Sequence, residues 1–318
     1  MPGRRLPLCF ILVTSAVTAQ VPTSIPLPGE RAFPENLAAS RDGTLYVGSL
    51  GSGGIYRVEP RGTQAKVWIA PGTYGTHSVF GVLADDRTNT LWVCSNDLSA
   101  RGVAIGASDG SSALKGFDLK TGQGKISAEL PGKPATCNDI TIGPDGAAYV
   151  SNTAAPQILR LTPGGQQLEV WFTDPALQPA AGAGIDGIAF GPDGNLYFDR
   201  FSPGDLYRVD VKGGIATGAT KLNTSRPLVL TDAIRRYGKD RFLLVEGGGR
   251  LDIFKVDGAS VQVETLKDGY LGPTGVAIVG HTAWVSEGQL SYIFDPAKKD
   301  QQPKLPFHIY SVAVHTAR

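Results

Sequence analysis

One methionine and three cysteines are all the sulfur that 318 residues carry. Cys9 falls in an apolar N-terminal leader, so Cys94 and Cys137 alone remain for a mature chain. Two thiols are too few for a disulfide scaffold or a thiolate metal site. Net charge is as scarce: 30 Lys and Arg stand against 29 Asp and Glu, with no basic cluster. That removes the electrostatic footprint of a nucleic-acid or anionic-membrane binder. No apolar run reaches the roughly 18 residues that a spanning helix needs. What is abundant is glycine (41) and proline (22), beside 42% hydrophobic residues. This composition predicts a real core built from many short strands and tight turns, an all-β chain.

The N-terminus, MPGRRLPLCFILVTSAVTAQ, places Arg4 and Arg5 before a short apolar run that ends in small residues at Val17-Thr18-Ala19. It reads as a signal peptide over 1–19, which predicts a secreted or periplasmic protein in an oxidising compartment. No composition break divides the remainder, so 20–318 is expected to be a single domain.

Three stretches align without a gap: PENLAASRDGTLYVGS (34–49), CNDITIGPDGAAYVSN (137–152) and IDGIAFGPDGNLYFDR (185–200). Each has a polar residue, an alternating run, an Asp-Gly turn and an aromatic residue opening a second strand. Asp-Gly between alternating runs is a strong hairpin signal. Looser copies lie at 79–97, 231–248 and 273–288. Third and fourth strands follow most hairpins, as in QILRLTPGG (157–165) and QLEVWFTDP (167–175). Four-strand units at a spacing of roughly 40 to 57 residues predict a six-bladed β-propeller. In the sixth blade LSYIFDP (290–296) reads as the third strand. Either KLPFHIYSVAV (304–314) or SIPLPG (24–29) would then cover its outer edge.

First strands of propeller blades line the central channel, so equivalent positions converge on the axis. Counting back from the aromatic of each second strand gives Glu35, Asn138 and Asp186, and the longer blade five gives Asp232. Blades two and six offer only Phe80-Gly81 and Pro273-Thr274. A lone Asp or Asn at a strand start is ordinary turn chemistry. Three carboxylates and an amide in register would repel without a cation. An all-oxygen set suits a hard divalent ion, Ca²⁺ first, with Mg²⁺, Mn²⁺ or Zn²⁺ as alternatives. Asp139 would support Asn138 or face a second ion.

With these residues in place, the chain resembles the family of gluconolactonases, senescence marker protein (regucalcin) and luciferin-regenerating enzyme, kin to paraoxonase and diisopropylfluorophosphatase. The resemblance implies one catalytic divalent ion on the axis, bound by a Glu in blade one, Asn in blades three and four, and Asp in blade five. Glu35, Asn138 and Asp232 match that pattern, while Asp186 replaces the second Asn. The paraoxonase His pair has no counterpart, and His77 near blade two is assigned to the pocket wall. The implied reaction is hydrolysis of a small lactone or ester, with Asp232 as general base or nucleophile. Strand-end residues Ser95, Asn96, Asn152, Asp199, Arg200, Glu246 and Glu287 are candidates for substrate contact, Arg200 foremost. Cys94 and Cys137 should share a face in neighbouring blades and form a disulfide.

Other motifs carry no function. GASDG (106–110) matches a nucleophile elbow without its strand-to-helix turn, and GAGIDG (182–187) runs into a strand instead of a helix. Asn223-Thr224-Ser225 is a glycosylation sequon in a eukaryotic host only. The rival readings are a noncatalytic propeller with a bracing ion, and a strictosidine-synthase-like relative that condenses its substrates.

Overall fold

The computed structural model describes residues 21–179, 182–298 and 300–314, so the leader at 1–19 lies outside them. Six antiparallel sheets follow one another along the chain. Blade one is Pro34–Ala39, Leu45–Ser49, Ile55–Val58 and Ala65–Ile69. Blade two starts at Ser78–Asp85, blade three at Cys137–Ile142, blade four at Ile185–Phe190 and blade five at Thr231–Tyr237. First strands contact the first strands of the next blade around a closed circuit, which makes the molecule a six-bladed β-propeller.

The repeated Asp-Gly hairpin explains its own aromatic. Tyr149 donates its hydroxyl to Asp145 Oδ2 at 3.0 Å, and Tyr197 does the same to Asp193 Oδ2 at 2.9 Å. The turn aspartates also accept the backbone N–H of Ala147 and Asn195, while Gly146 and Gly194 take the positive φ that the turn requires. With their hydroxyls satisfied, the rings pack between blades: Tyr149 meets Phe190 at 4.9 Å and Tyr197 meets Phe242 at 5.0 Å between centroids.

Blade six departs from the sequence expectation. LSYIFDP is not a strand: Ser291–Phe294 is one short helical turn. The third strand is His308–Ala313, and the fourth is the N-terminal Ser24–Pro26. Both candidate segments are therefore used, one to complete the blade and one to cover it. A second addition is Asn223–Thr224, which pairs parallel with the outer strand of blade five as a fifth strand.

Candidate axial site

Every first strand carries a bulge near its start, with two residues opposite one on the second strand. The pairs are Glu35-Asn36, Phe80-Gly81, Asn138-Asp139, Asp186-Gly187, Asp232-Ala233 and Thr274-Gly275. A bulge re-aims side chains, and this one explains how Asn138 and Asp139 both leave the alternation. The second member of each pair alternates around the ring. Blades two, four and six have glycine there because the next first strand is too close for a side chain. A Cβ on Gly81 would stand 2.1 Å from the Asn138 carbonyl oxygen, and one on Gly187 2.2 Å from that of Asp232.

Blades one and three place Asn36 and Asp139 at that level, and they meet Arg235 of blade five. The Arg235 guanidinium donates to both Asp139 oxygens at 2.7 and 2.8 Å and to Asn36 Oδ1 at 3.2 Å. Asn36 Nδ2 donates to Asp139 Oδ1 at 3.3 Å, and the Ile188 N–H donates to Asp139 Oδ2 at 3.1 Å. Three alternate blades can touch only at the axis, so this knot forms the floor beneath the ring. Of the two expectations for Asp139, support of Asn138 or a second ion, neither named the partner it has, the Arg235 guanidinium. Arg235 was missed by sequence reasoning, although a charge where blades one, four and six have Ala38, Ala189 and Ala277 was a readable signal. Below it a cavity of about 370 Å³ opens at the opposite end of the channel, lined by Ile140, Ile188 and Ile234.

Above the floor Glu35, Asn138, Asp186 and Asp232 are all buried. Glu35 Oε2 and Asp186 Oδ1 have no hydrogen-bond partner. Burial, then the neighbouring charges of Asp186 and Asp139, pushes Glu35 well above the usual carboxylate range. Asp186 is raised by burial and then by Asp139, and Asp232 by burial, then Asp186 and Glu35. Groups from opposite blades feel one another's charge, as the sequence register requires. Among the described residues no three His, Cys, Asp or Glu side chains close into a metal-binding group. The carboxylates face one channel without converging on a point. The orphaned oxygens and the charge crowding fit a hard divalent cation.

Most strand-end candidates have other duties. In five blades the second-strand residue paired just before the bulge ties down the segment leading into the blade. Ser49 donates to the Ala32 carbonyl, and Ser95 accepts from the His77 N–H at 2.9 Å. Asn152 accepts from the Thr136 N–H at 2.9 Å, Glu246 from that of Val229, and Glu287 from that of Leu271 at 2.6 Å. Asn96 spans the backbone of Cys137, donating to its carbonyl at 2.8 Å and accepting from its N–H at 3.0 Å. Asn96, Asn152, Glu246 and Glu287 thus each hold scaffold backbone. His77 lies against the 103–111 loop, with Nδ1 on the Ile105 carbonyl at 2.6 Å and Nε2 on Asp109 at 3.3 Å. Asp199 is fully buried, on the second strand of blade four opposite the bulge. Arg200 is the exception: half-buried, it makes no side-chain hydrogen bond, and its Nε is unpartnered. Cys94 and Cys137 are bonded, with Cα atoms 5.1 Å apart, and staple blade two to blade three.

With this geometry established, comparison with known proteins places the architecture. A gluconolactonase from Xanthomonas campestris superposes with TM-score 0.63 at 17% identity, over 95% of this chain and 93% of that one. The calcium-binding regucalcin from Agrobacterium tumefaciens gives 0.62 at 17%, over 91% and 92%. The fold is shared with gluconolactonase and regucalcin. At these identities the likeness shows fold alone, and the same fold serves a virginiamycin B lyase from Staphylococcus aureus (0.61, 18%, over 91% and 83%). Residues 22–58 match the family described as strictosidine synthase-like, N-terminal. The core trichothecene cluster protein 14 of Fusarium sporotrichioides is 33% identical over 112 residues, which are 35% of this chain and 30% of that protein. The chain thus matches under a third of that relative's length.

Proposed function

We propose that this propeller is an exported, divalent-cation-dependent hydrolase of small lactones or esters. One observation carries the reading. A bulge repeated in every blade brings three carboxylates and an amide onto the axis, buried and partly unpartnered, while Arg235 is spent on Asp139 one level below. The shared fold of gluconolactonase and regucalcin supports it.

Glu35, Asn138, Asp186 and Asp232 would hold the ion, and Ca²⁺ suits their oxygens best. Bound there, it would supply positive charge to polarise a carbonyl oxygen. Asp232 sits buried at the ring, among the groups that would face a carbonyl held at the ion. Its role is to take the proton of the attacking water. Asp186 in place of an amide adds negative charge, which tightens cation binding and weakens the polarising power of the ion. Arg200, uncommitted and half-buried, is placed to hold an oxygen-rich substrate.

The test is hydrolysis of γ- and δ-lactones by purified protein after chelation and after return of Ca²⁺, Mg²⁺, Mn²⁺ or Zn²⁺. Activity should vanish with chelator and return with one ion. Asp232→Asn should lose at least about 10²-fold in turnover, the usual weight of a general base, yet keep a cation-induced rise in melting temperature. Full turnover in a folded Asp232→Asn protein overturns the mechanism. The match at 22–58 favours a second reading, a strictosidine-synthase-like condensation. Cation-independent condensation without lactone hydrolysis would establish that reading.

A further inference from the structure

In five blades the residue leading into the first strand is marked by one backbone bond at the mouth end: its carbonyl accepts the N–H of the residue just past the second strand. Leu50 donates to Phe33, Thr153 to Thr136, Phe201 to Gly184, Gly247 to Leu230 and Gly288 to Gly272. Three of these acceptors take a positive φ, Phe33 at 37°, Leu230 at 53° and Gly272 at 60°. Glycine suits that backbone, whereas a bulky side chain there is strained. Phe33 offsets the strain by packing in the core, its ring 4.7 Å from that of Phe307 between centroids. Leu230 is 40% exposed and has no such cover.

Two more aliphatic side chains stand beside it. Val229 is 48% exposed, and Leu271, in the lead-in of blade six, is 46% exposed. They share one surface: a Cβ on Gly247 would lie 3.2 Å from the Leu230 Cβ, one on Gly248 3.4 Å from Val229 Cγ1, and one on Gly272 4.0 Å from the Gly247 carbonyl oxygen. Glycines thus keep the ground between blades five and six low, and the three aliphatic side chains stand around it. Its backbone donors are already taken, the Val229 N–H by Glu246 and the Leu271 N–H by Glu287 at 2.6 Å. What is left to a ligand is apolar surface, and contiguous exposed apolar surface marks a contact site. The surface adjoins the axial site. Asp232 follows Leu230 by two residues, about 7 Å along an extended strand, and the Thr231 hydroxyl donates to the Arg200 carbonyl at 3.0 Å, which sets Arg200 on the adjacent blade.

We propose that Val229, Leu230 and Leu271 form an aliphatic shelf at the mouth that receives an alkyl substituent of the substrate, so that alkyl-substituted lactones are selected over unsubstituted ones. The inference rests on the hydrolase proposed above and narrows its substrate class. With the chain laid on the shelf, the lactone ring is directed to the axis and its oxygens to Arg200. The strained backbone at Leu230 is then kept for its side chain, since glycine serves the same backbone in blade six. Each methylene that the shelf covers should strengthen binding roughly threefold.

The test compares γ-butyrolactone, γ-hexalactone and γ-octalactone as substrates of wild type, Leu230→Gly and Leu271→Ser, each with the divalent ion that restores activity. In wild type kcat/KM should rise about tenfold or more from the shortest to the longest, chiefly through KM. Leu230→Gly should cut that ratio to about threefold or less without lowering the melting temperature, because glycine adopts this φ freely. Leu271→Ser should reduce the ratio as well. A second readout needs no turnover: calorimetric titration, in CaCl₂, with the unsubstituted γ-lactam and its γ-butyl derivative. The butyl lactam should bind more tightly to wild type and lose that advantage in Leu230→Gly. A flat chain-length series, a ratio unchanged in both folded variants, or no preference for the butyl lactam overturns the proposal. A wild type that hydrolyses no lactone with any ion refutes the hydrolase reading instead, and the lactam titration still decides the shelf.

Discussion

Replacing Arg235 with methionine keeps most of the aliphatic stem and deletes the guanidinium. In the structure that group is the partner of both Asp139 oxygens and of Asn36 Oδ1. Asp139 is buried, and its remaining donors are the Ile188 N–H and the Asn36 amide. Breaking one side of a buried ion pair costs about 3–5 kcal/mol, chiefly because the other charge is stranded. The knot also joins blades one, three and five across the axis, so the loss falls on the whole ring. At an unfolding entropy of about 2.1 cal/mol/K per residue, about 1 kcal/mol corresponds to roughly 1.6 °C in melting temperature for about 300 residues, so calorimetry should show a fall of about 5 °C or more. The control is Arg235→Met with Asp139→Asn. Removing the stranded charge should recover most of the loss and give a coupling energy above about 2 kcal/mol in a double-mutant cycle. A single variant within about 1 kcal/mol of wild type would refute the account of the channel floor, as would a double variant that is merely the sum of the two.

Three further outcomes are expected. Cys94→Ala with Cys137→Ala opens a loop with a sequence separation of 43, which should lower stability by about 4 kcal/mol in denaturant unfolding; the wild-type intact mass with and without reductant should differ by two hydrogen atoms. Asp252, buried beside Glu246 and Arg226, has its carboxyl pushed up to about 6, by burial first and then by the Glu246 hydrogen bond. A raised acid favours the folded state while protonated, so its contribution is complete below about pH 4 and is lost as pH rises through about 6. Asp252→Asn should flatten the stability profile in that window, and an unchanged slope would remove Asp252 as its source. Arg200→Ala should raise KM for an oxygen-rich lactone several-fold with little change in melting temperature, since Arg200 pins no backbone.

The propeller and its register were readable because the hairpin repeats with its turn Asp and Gly, joined in blades three and four by the Tyr that returns a hydrogen bond to that Asp. The ring positions followed from counting along one strand. The floor was not readable in this way, because the contact of Asn36, Asp139 and Arg235 joins three blades and depends on side-chain reach. The scaffold duty of the strand-end residues was unreadable for a related reason. Asn152, Glu246 and Glu287 look like mouth residues in sequence, and only the structure shows that each is held by the N–H of its own lead-in segment. The blade six error at LSYIFDP came from an apolar run too short to tell a strand from a helical turn by periodicity.

Ser24–Pro26 lies against His308–Ala313, and that clasp adds to the contact between the inner strands of blades six and one in shutting the circle. Glu35 belongs to the first blade, immediately beside the seam, and the Thr274 hydroxyl of blade six donates to the Pro34 carbonyl just before it. The centre is therefore governed from the rim. A peptide that competed for the edge of His308–Ala313, or a proteolytic cut releasing the first few residues of the described chain, would loosen the outer side of the seam beside the blade that carries Glu35. The chain's two ends act as a latch on its innermost charge.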